Sequence, residues 1–490
     1  MLQEAFKNRI FYGISLAFIA INTLAIPFEF PWINLLPFLL LFSFLILFKL
    51  DILLLVLCFL IPLSVNIDDI GFGLGISLPG EPLIMLIMAL TVFKFLIHSE
   101  YDYEVFKHPI SKAVLIYLVW VFITSFSSED PMVSFKYFLS RFWFIIVFYF
   151  LGVALFRKFG NIQKYLWLYI IPLCLVVVFT LIKHSAYNFD QHYSFTIQQP
   201  FYVGHGVYAA AIAFFIPLLF IYLLYPSIFR LNAITWPIIL GVLVFLLIGL
   251  FYSYTRAAWI SIAAAVMALI PLLARIRLKS LLIMIVITAV IGVLFSSQIV
   301  YLMSRNQDES SKDFSEHINS ISNIKTDASN AERINRWVCA IEMFKERPVF
   351  GWGPGTYKFE YAPFQLAKYR TVISTDFGDG GNSHSEYLNP LCEMGLVGML
   401  TILYLFYQVL NTGFNLFYTA RKPRVRFMSL AITLGMITYF VHGLMNNYSE
   451  TDKIAVLFWG GFAMLTAMDI YHNKKASNDM LPESNETIPI

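Results

Sequence analysis

Apolar residues run through this chain in long blocks joined by short polar links, and one polar stretch late in the sequence breaks that rhythm. About 14 of the apolar blocks reach the roughly 17–25 residues that a bilayer crossing requires. They lie near 11–28, 32–49, 51–66, 82–98, 113–127, 138–156, 164–182, 204–225, 233–253, 257–274, 280–303, 395–419, 427–446 and 454–471. The pattern predicts an all-α polytopic membrane protein, with spans 1–11 within residues 1–303 and spans 12–14 within 395–471. Between them, residues 304–394 form one large external loop, and 472–490 a polar, disordered tail. Lys7 and Arg9 flank the first block, but further spans follow it without a persuasive cleavage site, so it is read as a retained anchor.

Composition strengthens this picture and removes other classes. Of 490 residues, 59% are hydrophobic, 17% aromatic and only 13% charged, so the solvent for most of the chain is lipid. A net charge of +3 without a basic run interleaved with aromatics gives no footing for nucleic acid. Cys58, Cys174, Cys339 and Cys392 have no C-x-x-C or Cys-His spacing, which argues against a metal or redox centre. Cys339 and Cys392 share the polar stretch, but spacing alone does not decide whether they meet.

The basic residues set an orientation. With the N-terminus in the cytoplasm, Lys7, Arg9, Lys49, Lys94, Lys107, Lys112, Arg157, Lys158, Lys164, Arg230, Arg275, Arg277, Lys279, Arg421, Lys422, Arg424, Arg426, Lys474 and Lys475 all fall on that side. The short external loops hold only Lys136, Lys183, Arg256 and Lys453, with Arg141 just inside a span. Both termini are therefore expected in the cytoplasm of a bacterial inner-membrane protein, and the 304–394 loop on the outer face.

Within the loop, Ser329-x-x-Glu332 fits a capping box, and Ile334, Trp337, Val338, Ile341 and Phe344 repeat at helical spacing until Arg347-Pro348. Arg333, Arg336 and Trp337 share one face of that helix. Two readings fit them: an anion site at a helix N-terminus, or an amphipathic helix lying on the membrane with snorkelling arginines. Ser383-x-x-Glu386 is a second capping box, which puts His384 in the first turn of the helix entering span 12, where the helix dipole keeps its ring neutral and able to accept a proton. Glu386 is then explained by the box. The acidic run Asp376-Phe377-Gly378-Asp379-Gly380-Gly381 lacks the alternating oxygen ligands of a calcium loop.

Further polar residues gather on the outer side. Arg256 lies between two spans in Tyr254-Thr255-Arg256, Arg141 near the outer end of span 6, His205 at the mouth of span 8, and His442 with Asn446 and Asn447 at the outer end of span 13. Such groups face a bundle interior or an aqueous cavity. Arg256 is either functional or an interfacial anchor, and Arg141, His205 and His442 are each either functional or satisfied packing residues.

Taken together, Tyr254-Thr255-Arg256, Arg333-x-x-Arg336-Trp337, Pro348-x-x-Gly351-x-Gly353-x-Gly355, His384-Ser385-Glu386-Tyr387-Leu388 and Gly395-x-x-Gly398 resemble the O-antigen ligase family, over roughly residues 200 to 445. That family includes O-antigen polymerases and O-linked oligosaccharyltransferases. The resemblance implies a glycosyltransferase that moves a glycan from undecaprenyl diphosphate to an acceptor hydroxyl outside the membrane, lipid A-core for a ligase, with no cofactor, nucleotide sugar or metal. It implies His384 as the proton acceptor, and Arg256 with Arg333 or Arg336 as cations for the diphosphate. Trp337, Arg141, His205, Glu386 and His442 are the candidate substrate-binding residues. A frequent family form is His-Asn, whereas Ser385 follows His384 here, which leaves ligase against polymerase open. A transporter of polysaccharide or lipid is the rival from another class, but neither midplane ionisable residues nor internal repeats are visible.

Overall fold

Lipid offers backbone N–H and C=O groups no partner but one another, and every apolar block within the described residues has accordingly become a helix. The structure is a computed structural model that describes residues 49–67, 75–97, 102–281, 328–367 and 381–473, with a few single positions such as Arg370 and Ser374. The expected spans near 11–28, 32–49 and 280–303, the start of the polar loop and the tail lie outside the described residues, almost wholly in the case of these spans.

In chain order the helices are α1 (Leu50–Leu60), α2 (Gly80–Ile97), α3 (Pro109–Phe126), α4 (Pro131–Leu155), α5 (Phe159–Ser185), α6 (His205–Leu224), α7 (Thr235–Phe251), α8 (Arg256–Leu273), α9 (Ala328–Glu346), α10 (Leu388–Thr419), α11 (Pro423–His442) and α12 (Asp452–Asn473). Between α1 and α2 a small antiparallel hairpin pairs Val65–Ile67 with Ile76–Leu78, Asn66 opposite Ser77. Among the described residues nine helices are long and apolar enough to cross a membrane, so the protein is a multi-pass helical membrane protein. Two expected spans are shorter than that. The 51–66 block leaves the α-helix at Leu60, where Pro62 enters a 3-10 turn, and the 233–253 block gives only Thr235–Phe251.

Capping decides where several spans begin. Asp130 accepts hydrogen bonds from the Met132 and Val133 amides with Pro131 at the first helical position, so α4 starts a full two turns before its apolar block. The centre of the bundle is α6, α11 and α12, whose side chains are mostly buried all round. Helix α11 packs on α6, α8 and α10; α10 packs on α3; α9 lies against α10.

Helix α10 starts seven residues before its expected apolar block and is broken at Gly395, which has φ 69°. The Pro348-x-x-Gly351-x-Gly353 turn fits into that break. The Leu396 amide donates to the Pro348 carbonyl (2.9 Å), Trp352 to Cys392 (3.0 Å) and Gly353 to Glu393 (2.8 Å). A Cβ on Gly395 would lie 2.1 Å from the Val349 oxygen, so only glycine permits both the positive φ and the close approach. The Trp120 indole covers the Met394 carbonyl at the break (2.9 Å). Cys339 and Cys392 do meet in one small apolar cluster with Ala340, Met343, Tyr357 and Tyr361, and both are free thiols.

Candidate functional site

Several helix ends meet beside the polar loop. Thr255, the residue before α8, donates through its hydroxyl to the His205 carbonyl (3.5 Å), which sets the start of α8 and Arg256 beside the start of α6. The ring of Phe195 meets His205 edge-on at 4.6 Å. Gly206 lets the Tyr448 hydroxyl come within 2.0 Å of where a Cβ would stand, so the link after α11 packs directly on the first turn of α6. His442 is the last residue of α11; it is buried, its ring lies 5.8 Å from that of Tyr448, and neither of its nitrogens has a hydrogen-bond partner among the described residues.

The segment from Gly381 to Tyr387 closes over these ends. Asn382 is its hinge: its oxygen accepts from the His384 amide (2.9 Å) and its Nδ2 donates to the Asn447 carbonyl (3.2 Å). The Glu386 amide donates to the Gly443 carbonyl (2.8 Å). The capping box expected at Ser383 is absent, and the Ser329 side chain of the other lies outside the described residues. Helix α10 begins only at Leu388, and it is Ser385 Oγ that accepts from the Tyr387 and Leu388 amides (3.3 Å each), while the Ser383 amide is held by Asn389. His384 therefore sits in the loop at φ 52° and not in a helical first turn. Helix α9 already includes Ser329, and Glu332 turns to Arg336 and the Ser374 hydroxyl.

Glu386 does not reach back to Ser383. Its carboxylate is buried, accepting at Oε1 from the Tyr448 amide (2.9 Å), the Ser449 amide (2.8 Å) and the Tyr439 hydroxyl, and at Oε2 from the Ser449 hydroxyl (2.9 Å). Arg141 grips the same link from the other side. It donates to the Ser449 carbonyl (2.6 Å) and the Tyr137 hydroxyl (3.0 Å) and lies 3.4 Å from the Glu450 carboxylate. Of the sequence candidates, Arg141 and Glu386 thus hold the Tyr448–Glu450 segment instead of joining the histidines.

The two loop arginines also differ. Arg336 is buried, paired with Glu332 (3.0 Å), donating to the Asn382 carbonyl (3.2 Å) and lying 5.0 Å over the Tyr361 ring. Arg333, half-buried one turn earlier, places its charge where it acts on His205, His384, His442 and Tyr448 together. Burial first, and then the Arg336 and Arg333 charges, push the His384 imidazole down to about 4, with Glu332 opposing. Its neutrality thus comes from desolvation and two guanidiniums, where the sequence pointed to a helix dipole. Trp337 donates to the His384 carbonyl (3.5 Å) and so holds the loop.

The structure sets His205, His384 and His442 within electrostatic reach of Arg333, places Arg256 next to His205, and ties Arg336 and Trp337 to the loop. Tyr448 was missed from sequence; the polar run Asn446-Asn447-Tyr448-Ser449 at the end of an apolar span was its signal. Among the described residues no group of three or more His, Cys, Asp or Glu is arranged to hold a metal ion, and Asp376 and Asp379 lie outside them. Such a constellation can accept a proton beside a place suited to an anion.

A family model described as O-antigen ligase matches residues 241–403, the part of the chain that holds Arg256, Arg333, Arg336 and His384. No curated protein matches the chain. That stretch is therefore similar to the O-antigen ligase family, in agreement with the resemblance read from the motifs.

Proposed function

We propose that this protein is a membrane glycosyltransferase that moves a glycan from undecaprenyl diphosphate to an acceptor hydroxyl on the outer face of a bacterial inner membrane, as an O-antigen ligase with lipid A-core as acceptor. The observation that carries the reading is the convergence of His205, His384 and His442 on Arg333 at the ends of α6 and α11, beside the start of α8 and Arg256. The family match supports the reaction class.

In this reading the acceptor oxygen attacks the anomeric carbon while the bond from that carbon to the phosphate oxygen breaks, and the diphosphate leaves with the electron pair. His384 takes the hydroxyl proton, a role worth roughly 10²–10⁴-fold. Arg333 and Arg256 receive the growing charge on the diphosphate, which preorganised guanidiniums do better than water. The arrival of that anion offsets the arginine charge felt by His384 and so makes the imidazole a stronger base when the substrate is bound. A single displacement inverts the anomeric configuration.

An apolar groove of about 140 Å³ between α6, α7 and α8, lined by Ile216, Phe220, Leu247, Ile262 and Val266, supports a lipid-borne donor. Ile262 lies six residues along α8 from Arg256, about 9 Å at the helical rise. A polyprenyl chain in that groove has its diphosphate near the arginines.

Deleting the gene tests the reading: surface-linked long glycan should disappear while carrier-linked glycan accumulates. Loss of the polymer from the carrier itself would make the protein a polymerase, and an unchanged envelope would remove glycan transfer altogether.

A further inference from the structure

A second polar cleft opens on the other side of Asn382, between the start of α4 and the turn after Gly355, with a volume of about 360 Å³. That is within the range of small-molecule sites, roughly 300–1,000 Å³. Lys136, Lys358, Phe359, Asn382, Glu393 and Glu450 line it. Glu393 is buried and fixed, accepting from the Tyr357 amide (3.0 Å) and from Asn389 (2.9 Å). The Lys358 ammonium lies 4.7 Å from the centre of the Phe359 ring, and that ring is 51% exposed at the rim. Asn447 Oδ1, on the segment that bears Glu450, is buried without a partner among the described residues.

The mixture selects a ligand class. The polar lining of carboxyl, ammonium and amide groups disfavours a polyprenyl chain. A sugar ring presents an apolar C–H face and an edge of hydroxyls, which answer an exposed phenyl ring, carboxylate acceptors and ammonium donors. The wall is shared with the histidine cluster, because Asn382 lines the cleft and also holds the His384 amide.

We infer that this cleft is a saccharide subsite, placing one sugar unit next to the transfer site; the inference rests on the glycan-transfer reading. Purified full-length protein in nanodiscs is titrated with two oligosaccharide fractions released by mild acid from the host's own envelope, the short core and the long repeat-unit glycan. Phe359→Ala and Lys358→Ala, both at exposed rim positions, should weaken binding of one fraction about tenfold, the size of one well-made contact below hot-spot rank. Loss confined to the core fraction marks an acceptor subsite, and loss confined to the repeat-unit fraction a donor-glycan subsite. Affinities for both fractions that match the unsubstituted protein, or no binding to either, overturn the inference. The titration does not depend on turnover, so a protein that binds sugar here but never transfers it would sink the proposed function and leave the subsite standing.

Discussion

The His384 ring and the Glu386 carboxylate stand two residues apart on one loop, yet they meet opposite surroundings. Around Glu386 the Tyr439 hydroxyl, the Tyr448 and Ser449 amides and the Ser449 hydroxyl all donate to its oxygens, and Arg141 binds the same backbone from behind. Around His384 burial and the Arg336 and Arg333 charges act against Glu332, and the neighbouring His442 has two buried nitrogens with no partner among the described residues. A buried polar group whose capacity is filled holds a fold in place; one whose capacity is open costs stability unless a water or ligand meets it. In the proposed reading the Glu386 side is the frame, and the His384 side is the part that meets the substrate.

The comparison is tested most strongly at His384. His384→Asn tolerates the left-handed backbone at φ 52° but has no proton-accepting nitrogen, so transfer by purified protein should fall by roughly 10²–10⁴-fold with the melting temperature unchanged. Turnover near that of the unsubstituted enzyme would remove the proton-acceptor role. Glu386→Ala should do the reverse. Removing one partner of a buried charged network costs about 3–5 kcal/mol, seen as an early thermal transition and poor accumulation in the membrane. Glu386→Gln, which a capping role makes mild, should also destabilise, because an amide cannot accept at both ends from the Tyr448 and Ser449 groups. An unchanged melting temperature for both Glu386 variants would dissolve the distinction between frame and site.

The same contrast explains what the sequence could and could not disclose. Apolar block length predicts the helices because lipid leaves the backbone no alternative, and Arg347-Pro348 ends α9 as its spacing implied. Ser383-x-x-Glu386 misled because a capping box is a local pattern, while Glu386 spends its carboxylate on a segment 62 residues away. The neutral state of His384 was legible but its cause was not, since burial and the two arginine charges arise from tertiary packing. Nor could spacing separate Arg333 from Arg336. Both lie on one helical face, whereas the Glu332 partner and the Asn382 carbonyl, which draw Arg336 into the frame, come from the folded structure.

That separation gives a smaller, sharper test. Arg333→Lys keeps the charge but loses the planar fork, so kcat should fall about tenfold. Arg336→Lys should instead lower the melting temperature, because Glu332, Asn382 and Tyr361 lose their partner. The opposite pattern would exchange the two roles.

The smallest effect concerns pH. An ordinary histidine titrates near 6.5, but His384 lies down at about 4, so its ring stays neutral over most of the acid range. Because the neutral form is the one that accepts a proton, kcat/KM, which reports the free enzyme, should stay nearly level from pH 8 to about 5 and decline only as pH approaches 4. In the substrate complex the diphosphate offsets the arginine charge, so the acid limb of kcat should lie at higher pH than that of kcat/KM. Stability runs with its own sign. Below about 6.5 the unfolded chain takes up a proton that the folded loop refuses, so the fold should weaken as pH falls from there toward 4, and level off beneath it. An acid limb of kcat/KM near 6.5 would mean that His384 titrates as an exposed ring, and the cluster would then lose the desolvation that sets it apart from the frame behind it.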